Sequence, residues 1–236
     1  MARTQKEGNG KNGTNGILPK RIQEALGIHS HEIESWRIFK ILSEFVQGFE
    51  FIRKYKKAVT FFGSARSSFD ASVYKEAAEL AARLAKDGYA VMTGGGSGVM
   101  EAANKGAYEA GGDSVGINIQ LPKEQRTNKY VTDSEAFHYF FTRKVMLSFA
   151  SDLYIFFPGG FGTLDEFFEM ITLVQTKKIP QIPIILVNKE FWTPLLKYIE
   201  EVVYKKNKAI DKGDMYIYYL VDNADEAYQV IKKLTK

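Results

Sequence analysis

Asp165 and Glu166 follow, after Leu164, a glycine-rich turn, Pro158-Gly159-Gly160-Phe161-Gly162-Thr163, and a pair of cations, Arg143-Lys144, precedes it inside an apolar stretch of Phe140, Phe141, Val145, Met146 and Leu147. A carboxylate can stabilise a developing positive charge or take a proton from water, and glycine lets backbone N–H groups converge on an anion. Two more turns have the second property: Gly63-Ser64-Ala65 and Thr93-Gly94-Gly95-Gly96-Ser97-Gly98. Each opens a helix, whose positive dipole end adds to the convergent N–H groups, so phosphate is the expected guest of all three. The text puts Asp165 and Glu166 in the first turn of the helix after the third loop, where the dipole favours their ionised forms. Beside a phosphate they would be repelled unless a cation offsets them, and Arg143 and Lys144 are the candidates. A plainer reading stays open: the glycines make tight turns, the carboxylates support a helix N-terminus, and the cations snorkel past their apolar neighbours.

Other chemistries are disfavoured. The second loop lacks the third glycine of a dinucleotide fingerprint, and no loop carries the Gly-Lys-Ser/Thr end of a triphosphate-binding loop, which argues against hydride transfer and ATP hydrolysis. The chain has 236 residues and no cysteine, so thiolate nucleophiles, disulfides and iron–sulfur clusters are excluded. With only His29, His31 and His138, a histidine metal site is improbable. A net charge of +4 with a pI near 8.9 is too small and scattered to mark a nucleic-acid surface. No apolar run approaches the roughly 20 residues that span a bilayer, and no secretory leader opens the chain, so the expectation is a cytoplasmic protein without membrane or nucleic-acid partners.

The elements that must position these residues alternate. AVTFF (58–62), YAVMT (89–93), DSVGI (113–117), DLYIFF (152–157), PIILV (183–187) and a short YYL run (218–220) read as strands. Helical text fills 70–87, 99–111, 137–150, 161–176, 190–206 and 223–235, with a loop around Pro122. Continuous apolar strands joined by helical crossovers predict a doubly wound, Rossmann-like α/β fold with helices on both faces of a parallel sheet. The glycine loops then share the carboxyl edge, and two of them flank the ligand crevice if the strand order reverses between AVTFF and DLYIFF. Residues 1–16 are expected to be a disordered tail, 17–57 a helical extension and 58–236 the nucleotide-binding domain. In the extension Ile38, Leu42, Phe45, Phe49 and Ile52 recur on one helical face that must pack on something.

PGGFGTLDE (Pro158 to Glu166) resembles the PGGxGTxxE signature of the Lonely Guy (LOG) family, cytokinin riboside 5′-monophosphate phosphoribohydrolases and related nucleotide hydrolases. FTRKVML (Phe141 to Leu147) resembles the family's arginine–lysine segment, and TGGGSGVMEAANKGAYEAGG (Thr93 to Gly112) its glycine-rich segment. The similarity covers about residues 58–210, and the extra residues at both ends are like those of the longer bacterial members. The resemblance implies hydrolysis of the N-glycosidic bond of a nucleoside 5′-monophosphate, AMP or an N6-substituted AMP of the cytokinin type, to free base and ribose 5-phosphate. It implies no cofactor and no metal. Arg143 and Glu166 carry over as the catalytic pair, Glu166 stabilising the cationic sugar or activating water and Arg143 orienting Glu166 or the nucleotide. Gly63, Ser64, Gly94, Gly95, Gly96, Lys144, Gly159, Gly160, Gly162 and Thr163 are the expected substrate-binding residues. Family members also carry a lysine decarboxylase label, which would need pyridoxal phosphate on a lysine, with Lys144 the nearest candidate; a non-catalytic nucleotide or cofactor carrier on the same fold is the other rival. A homodimer or larger homo-oligomer is expected, because Phe137, Phe140, Phe141 and Phe149 offer more aromatic surface than one helix face can bury and family members resemble dimers.

Overall fold

Apolar runs too short for helices become strands covered on both faces. The computed structural model describes residues 34–66, 71–120 and 127–235; the tail expected at 1–16 and the loop around Pro122 lie outside them. Two units are distinguished, residues 1–40 and 41–236. In the first, the described residues open helix α1 (Glu34–Ile52), with the Trp36 and Phe39 rings tilted at 6.4 Å.

In the second unit, strands β1 (Ala58–Phe62), β2 (Ala90–Thr93), β3 (Ser114–Ile119), β4 (Asp133–Phe137), β5 (Leu153–Phe156), β6 (Ile184–Val187) and β7 (Tyr219–Val221) form one sheet. Their order is β4-β3-β2-β1-β5-β6-β7, and every pairing is parallel. The intervening helices are α2 (Ala71–Lys86), α3 (Val99–Glu109), α4 (Phe140–Phe149), α5 (Phe161–Gln175), α6 (Lys189–Tyr198) and α7 (Ala224–Leu234). Asn188 caps α6 by accepting from the Phe191 N–H, and the helix then widens into π-helical turns over Ile199–Lys206. No described helix is long and apolar enough to cross a membrane.

Strand residues alternate between two cores, as the pleat requires. Phe62, Met92, Ile117, Tyr154, Phe156 and Leu186 pack beneath α4, α5 and α6, together with Phe51 and Ile52 at the end of α1. Val59, Phe61, Val91, Leu153, Ile155 and Ile185 face α2, α3 and α7. This is the doubly wound α/β architecture expected from the alternation. The order reverses between β1 and β5, so the loops leaving those strands flank the switch point.

Two expectations fail locally. The helix read as 137–150 starts only at Phe140, because Asp133–Phe137 is an added edge strand pairing with β3 alone, and Phe137 is a buried strand residue. Its sequence DSEAF hides this: Asp133 and Glu135 share the face of the buried Phe137 and bond Tyr55 and Gln47 there, while Ser134 and Ala136 are exposed, so no apolar run marks the strand. On α1, Ile52 is buried and Phe45 packs partly against the core, but Leu42 and Phe49 of the same stripe are exposed, 53% and 40%.

Candidate active site

The β1, β2 and β5 loops are stitched together by their own backbone. The Ser64 N–H donates to the Pro158 carbonyl at 3.0 Å, the Val99 N–H donates to the Ser64 carbonyl at 2.9 Å, and the Ser97 hydroxyl donates to the Ala65 carbonyl at 2.5 Å. Glycine is required where the loops touch. Gly98, at φ +69°, lies so close to the Ser64 carbonyl that no side chain fits, and a Cβ on Gly159 would meet Thr163 and the Ser64 nitrogen.

Further hydrogen bonds fix the shape of the β2 turn and engage the Gly95 N–H. In the β2 loop, the Gly95 N–H donates to the Thr93 hydroxyl at 2.9 Å, and the Gly95 and Gly96 carbonyls accept from the Asn128 N–H and amide at 2.9 and 3.0 Å. Asn104, fully buried, completes that clamp by accepting from Thr93 at 2.6 Å and Asn128 at 2.9 Å while donating to Ser114 at 2.9 Å. The β5 loop differs. Helix α5 starts after Gly160 with no side-chain cap, and its first intrahelical bond is from the Leu164 N–H to the Gly160 carbonyl at 3.1 Å. The N–H groups of Phe161, Gly162 and Thr163 therefore have no intrahelical partner, and the dipole end behind them favours an anion.

A cleft of about 310 Å³ opens over this helix start. Of the residues singled out in the sequence, Gly63, Ser64, Gly94, Arg143, Gly160, Gly162, Thr163 and Glu166 line it; Gly95, Gly96, Gly159 and Lys144 do not. Gly95 and Gly96 belong to the clamp, and Gly159 supports the loop contact. The lining also includes Arg66, Met100, Phe140 and Asp165. Arg66 was legible as a cation three residues beyond Gly63, whereas Met100 and Phe140 had no signal apart from apolar character.

The carboxylates do not sit as the sequence suggested. Because α5 begins at Phe161, Asp165 and Glu166 fall in its second turn, beyond the strongest part of the dipole field. Asp165 is exposed, whereas the Glu166 side chain is only 7% accessible. Burial pushes the Glu166 carboxyl up from 4.5 to about 7; Glu169 and Asp165 add to the rise, and Lys144 and Arg143 oppose it. Glu166 Oε1 lies 3.6 Å from Lys144 Nζ, and Oε2 is buried without a hydrogen-bond partner. Arg143 is also largely buried, which lowers its pKa while Glu166 pulls it back up; the guanidinium remains a cation. Its Nε–H donates to the Ile117 carbonyl at 2.9 Å, and its guanidinium lies against Gly94.

Residues 100–231 match a family described as "Possible lysine decarboxylase". The cytokinin riboside 5′-monophosphate phosphoribohydrolase LOG1 of Arabidopsis thaliana is 31% identical over 188 residues, which are 77% of this chain and 83% of the relative. LOG5 of the same plant, with the same activity in its name, is 31% identical over 183 residues, 76% and 78% of the two chains. Among solved structures, the molybdenum cofactor carrier protein of Chlamydomonas reinhardtii superposes with a TM-score of 0.60 at 22% identity, over 77% of this chain and 99% of that one, a likeness of fold.

Proposed function

The chain belongs to the Lonely Guy (LOG) family, and from that premise we propose that it hydrolyses the N-glycosidic bond of a nucleoside 5′-monophosphate, with AMP and cytokinin-type N6-substituted AMP as substrates. The observation that carries this reading is the Glu166 carboxylate: buried, with one oxygen unpartnered, on the wall of a cleft whose floor is an uncapped helix start. The 5′-phosphate accepts from the N–H groups of Phe161, Gly162 and Thr163, and Arg66 at the rim adds a cation. Phosphate anchored there brings the sugar towards Glu166.

As the C1′–N9 bond breaks, the sugar gains oxocarbenium character that the ionised Glu166 stabilises. A water that donates to Oε2 attacks C1′, and its proton passes to the carboxylate. The electron pair of the broken bond leaves with the base, which takes a proton from solvent. Arg143, fixed by a backbone carbonyl and by Gly94, orients the nucleotide rather than Glu166.

The decarboxylase reading asks for a lysine that reaches the cleft as a free amine to hold pyridoxal phosphate. Among the described residues no lysine lines the cleft, and Lys144 is engaged by Asp165, Glu166 and Glu169, so these residues do not fit that cofactor. A carrier on this fold would need the loops and not a buried carboxylate. The second copy in the proposed dimer covers the exposed apolar residues Leu42, Val46 and Phe49 of α1 and Phe141 and Phe149 of α4. Chromatography after incubation with AMP, isopentenyladenosine monophosphate, other nucleoside monophosphates and adenosine tests the activity. Free base and ribose 5-phosphate are expected from the monophosphates and far less base from adenosine; equal turnover of adenosine overturns the phosphate anchor.

A further inference from the structure

Arg143 and Lys144 are consecutive on α4 and so point about 100° apart. One reaches the cleft and the Ile117 carbonyl, and the other turns towards α5. There the Lys144 ammonium stands 2.5 Å from Asp165 Oδ2, 2.8 Å from Glu169 Oε2 and 3.6 Å from Glu166 Oε1, with only 17% of its side chain accessible. Asp165 and Glu169 are one helical turn apart, so the ammonium bridges two turns of α5 with Glu166 between them.

Resting on the reading of Glu166 as the reacting carboxylate, we infer that Lys144 and Glu169 are positioning residues that set the charge and place of Glu166, and that Lys144 does not touch the nucleotide. One ammonium faces three carboxylates and Arg143 offsets only part of the rest, so full ionisation leaves uncompensated negative charge in a partly dry site, and the least solvated acid is the one that keeps a proton. Side-chain accessibility is 57% for Asp165, 26% for Glu169 and 7% for Glu166, which singles out Glu166. Burial alone already acts against Lys144's charge, but its hydrogen bond to Asp165 and its ion pairs with Glu169 and Glu166 outweigh that, and it stays an ammonium. Among the described residues, the charged groups around Glu166 are Arg143 and Lys144 from α4, Asp165 and Glu169 from α5, and Arg66 across the cleft; the walls at Phe62, Ser64, Gly94, Met100 and Phe140 bring no titratable group. Removing the ammonium therefore makes Glu166 harder to ionise, and removing the Glu169 charge makes it easier.

The test is a side-chain carboxyl 13C NMR titration of the full chain labelled at glutamate, the Glu166 signal being the one lost in Glu166→Gln. Lys144→Met should raise the Glu166 midpoint so that its proton affinity increases tenfold or more, Glu169→Gln should lower it, and Lys144→Arg should restore most of the wild-type value. A midpoint unmoved in Glu169→Gln, with Lys144→Met unmoved or unfolded, overturns the inference. Kinetics with AMP give the second readout: in Lys144→Met the acid limb of kcat/KM should move with the NMR midpoint, whereas a raised KM with a fixed limb would make Lys144 a nucleotide ligand and overturn it. Because the NMR arm needs no turnover, a wild-type protein inert towards every monophosphate would count against the hydrolase reading and leave the inference on Lys144 and Glu169 to be decided by the titration.

Discussion

Arg143 reaches from α4 to place its Nε–H on the carbonyl of Ile117 in β3, 2.9 Å away. The arginine is thus aimed by the sheet, and Gly94 leaves room for its guanidinium. A methyl group at Gly94 would press on that guanidinium and come within 2.9 Å of the Met100 sulfur. Gly94→Ala is expected to cut turnover of AMP at least tenfold with a small loss of melting temperature. Gly213→Ala, where a Cβ meets nothing within 4 Å, is the control and should match wild type in both assays.

Glu166→Gln should keep AMP binding and lose turnover by about 100-fold or more, roughly 2.7 kcal/mol of barrier, because the amide neither carries the charge nor takes the proton. Asp165→Asn, at an exposed side chain that pairs with Lys144, should lose far less. Calorimetric binding of AMP beside a product assay separates the two effects; near-normal turnover in Glu166→Gln would favour the carrier.

The pH dependence of rate and stability should run in opposite directions. Turnover needs ionised Glu166 and should rise as pH passes about 7. Stability from this group is complete below the unfolded carboxyl's range near 4.5 and is lost as pH rises through about 7, since the fold favours the neutral acid. The loss is at most roughly 3 kcal/mol between these limits. Glu166→Gln should abolish it, so urea denaturation at pH 8 should find the inactive variant more stable than wild type.

Asn104→Ala should destabilise the protein by about 2–3 kcal/mol, since it leaves Thr93, Asn128 and Ser114 without their buried partner. Chemical denaturation measures the loss. KM for AMP should rise as well, because the freed β2 loop carries Gly94.

Light scattering at micromolar concentration should report at least a dimer. Val46→Glu, which puts a charge on an α1 side chain that is 65% exposed, should shift the mass to a monomer without unfolding it.

The fold was legible because its signals are local. AVTFF, YAVMT, DLYIFF and PIILV are buried on both faces and hence apolar throughout, so β1, β2, β5 and β6 could be read almost to the residue. β4 could not, because Asp133 and Glu135 stand on the same face as the buried Phe137 and break the apolar run, and the tertiary pairing with β3 makes the strand.

Which residue types stand after each strand is written in the chain: glycine where loops cross, a carboxylate pair after the β5 loop and a cation pair on the helix before it. These follow from residue identity and chain order alone. Which loop N–H groups are already engaged was decided by the acceptors that folding brings to them: the Pro158 carbonyl takes the Ser64 N–H, the Ser64 carbonyl the Val99 N–H and the Thr93 hydroxyl the Gly95 N–H. The charge of Glu166 was decided the same way. A pKa depends on how much water surrounds the group and which charges lie within a few ångströms, and only the packing of α4 against α5 brings Lys144 to Glu169 and closes Glu166 from solvent.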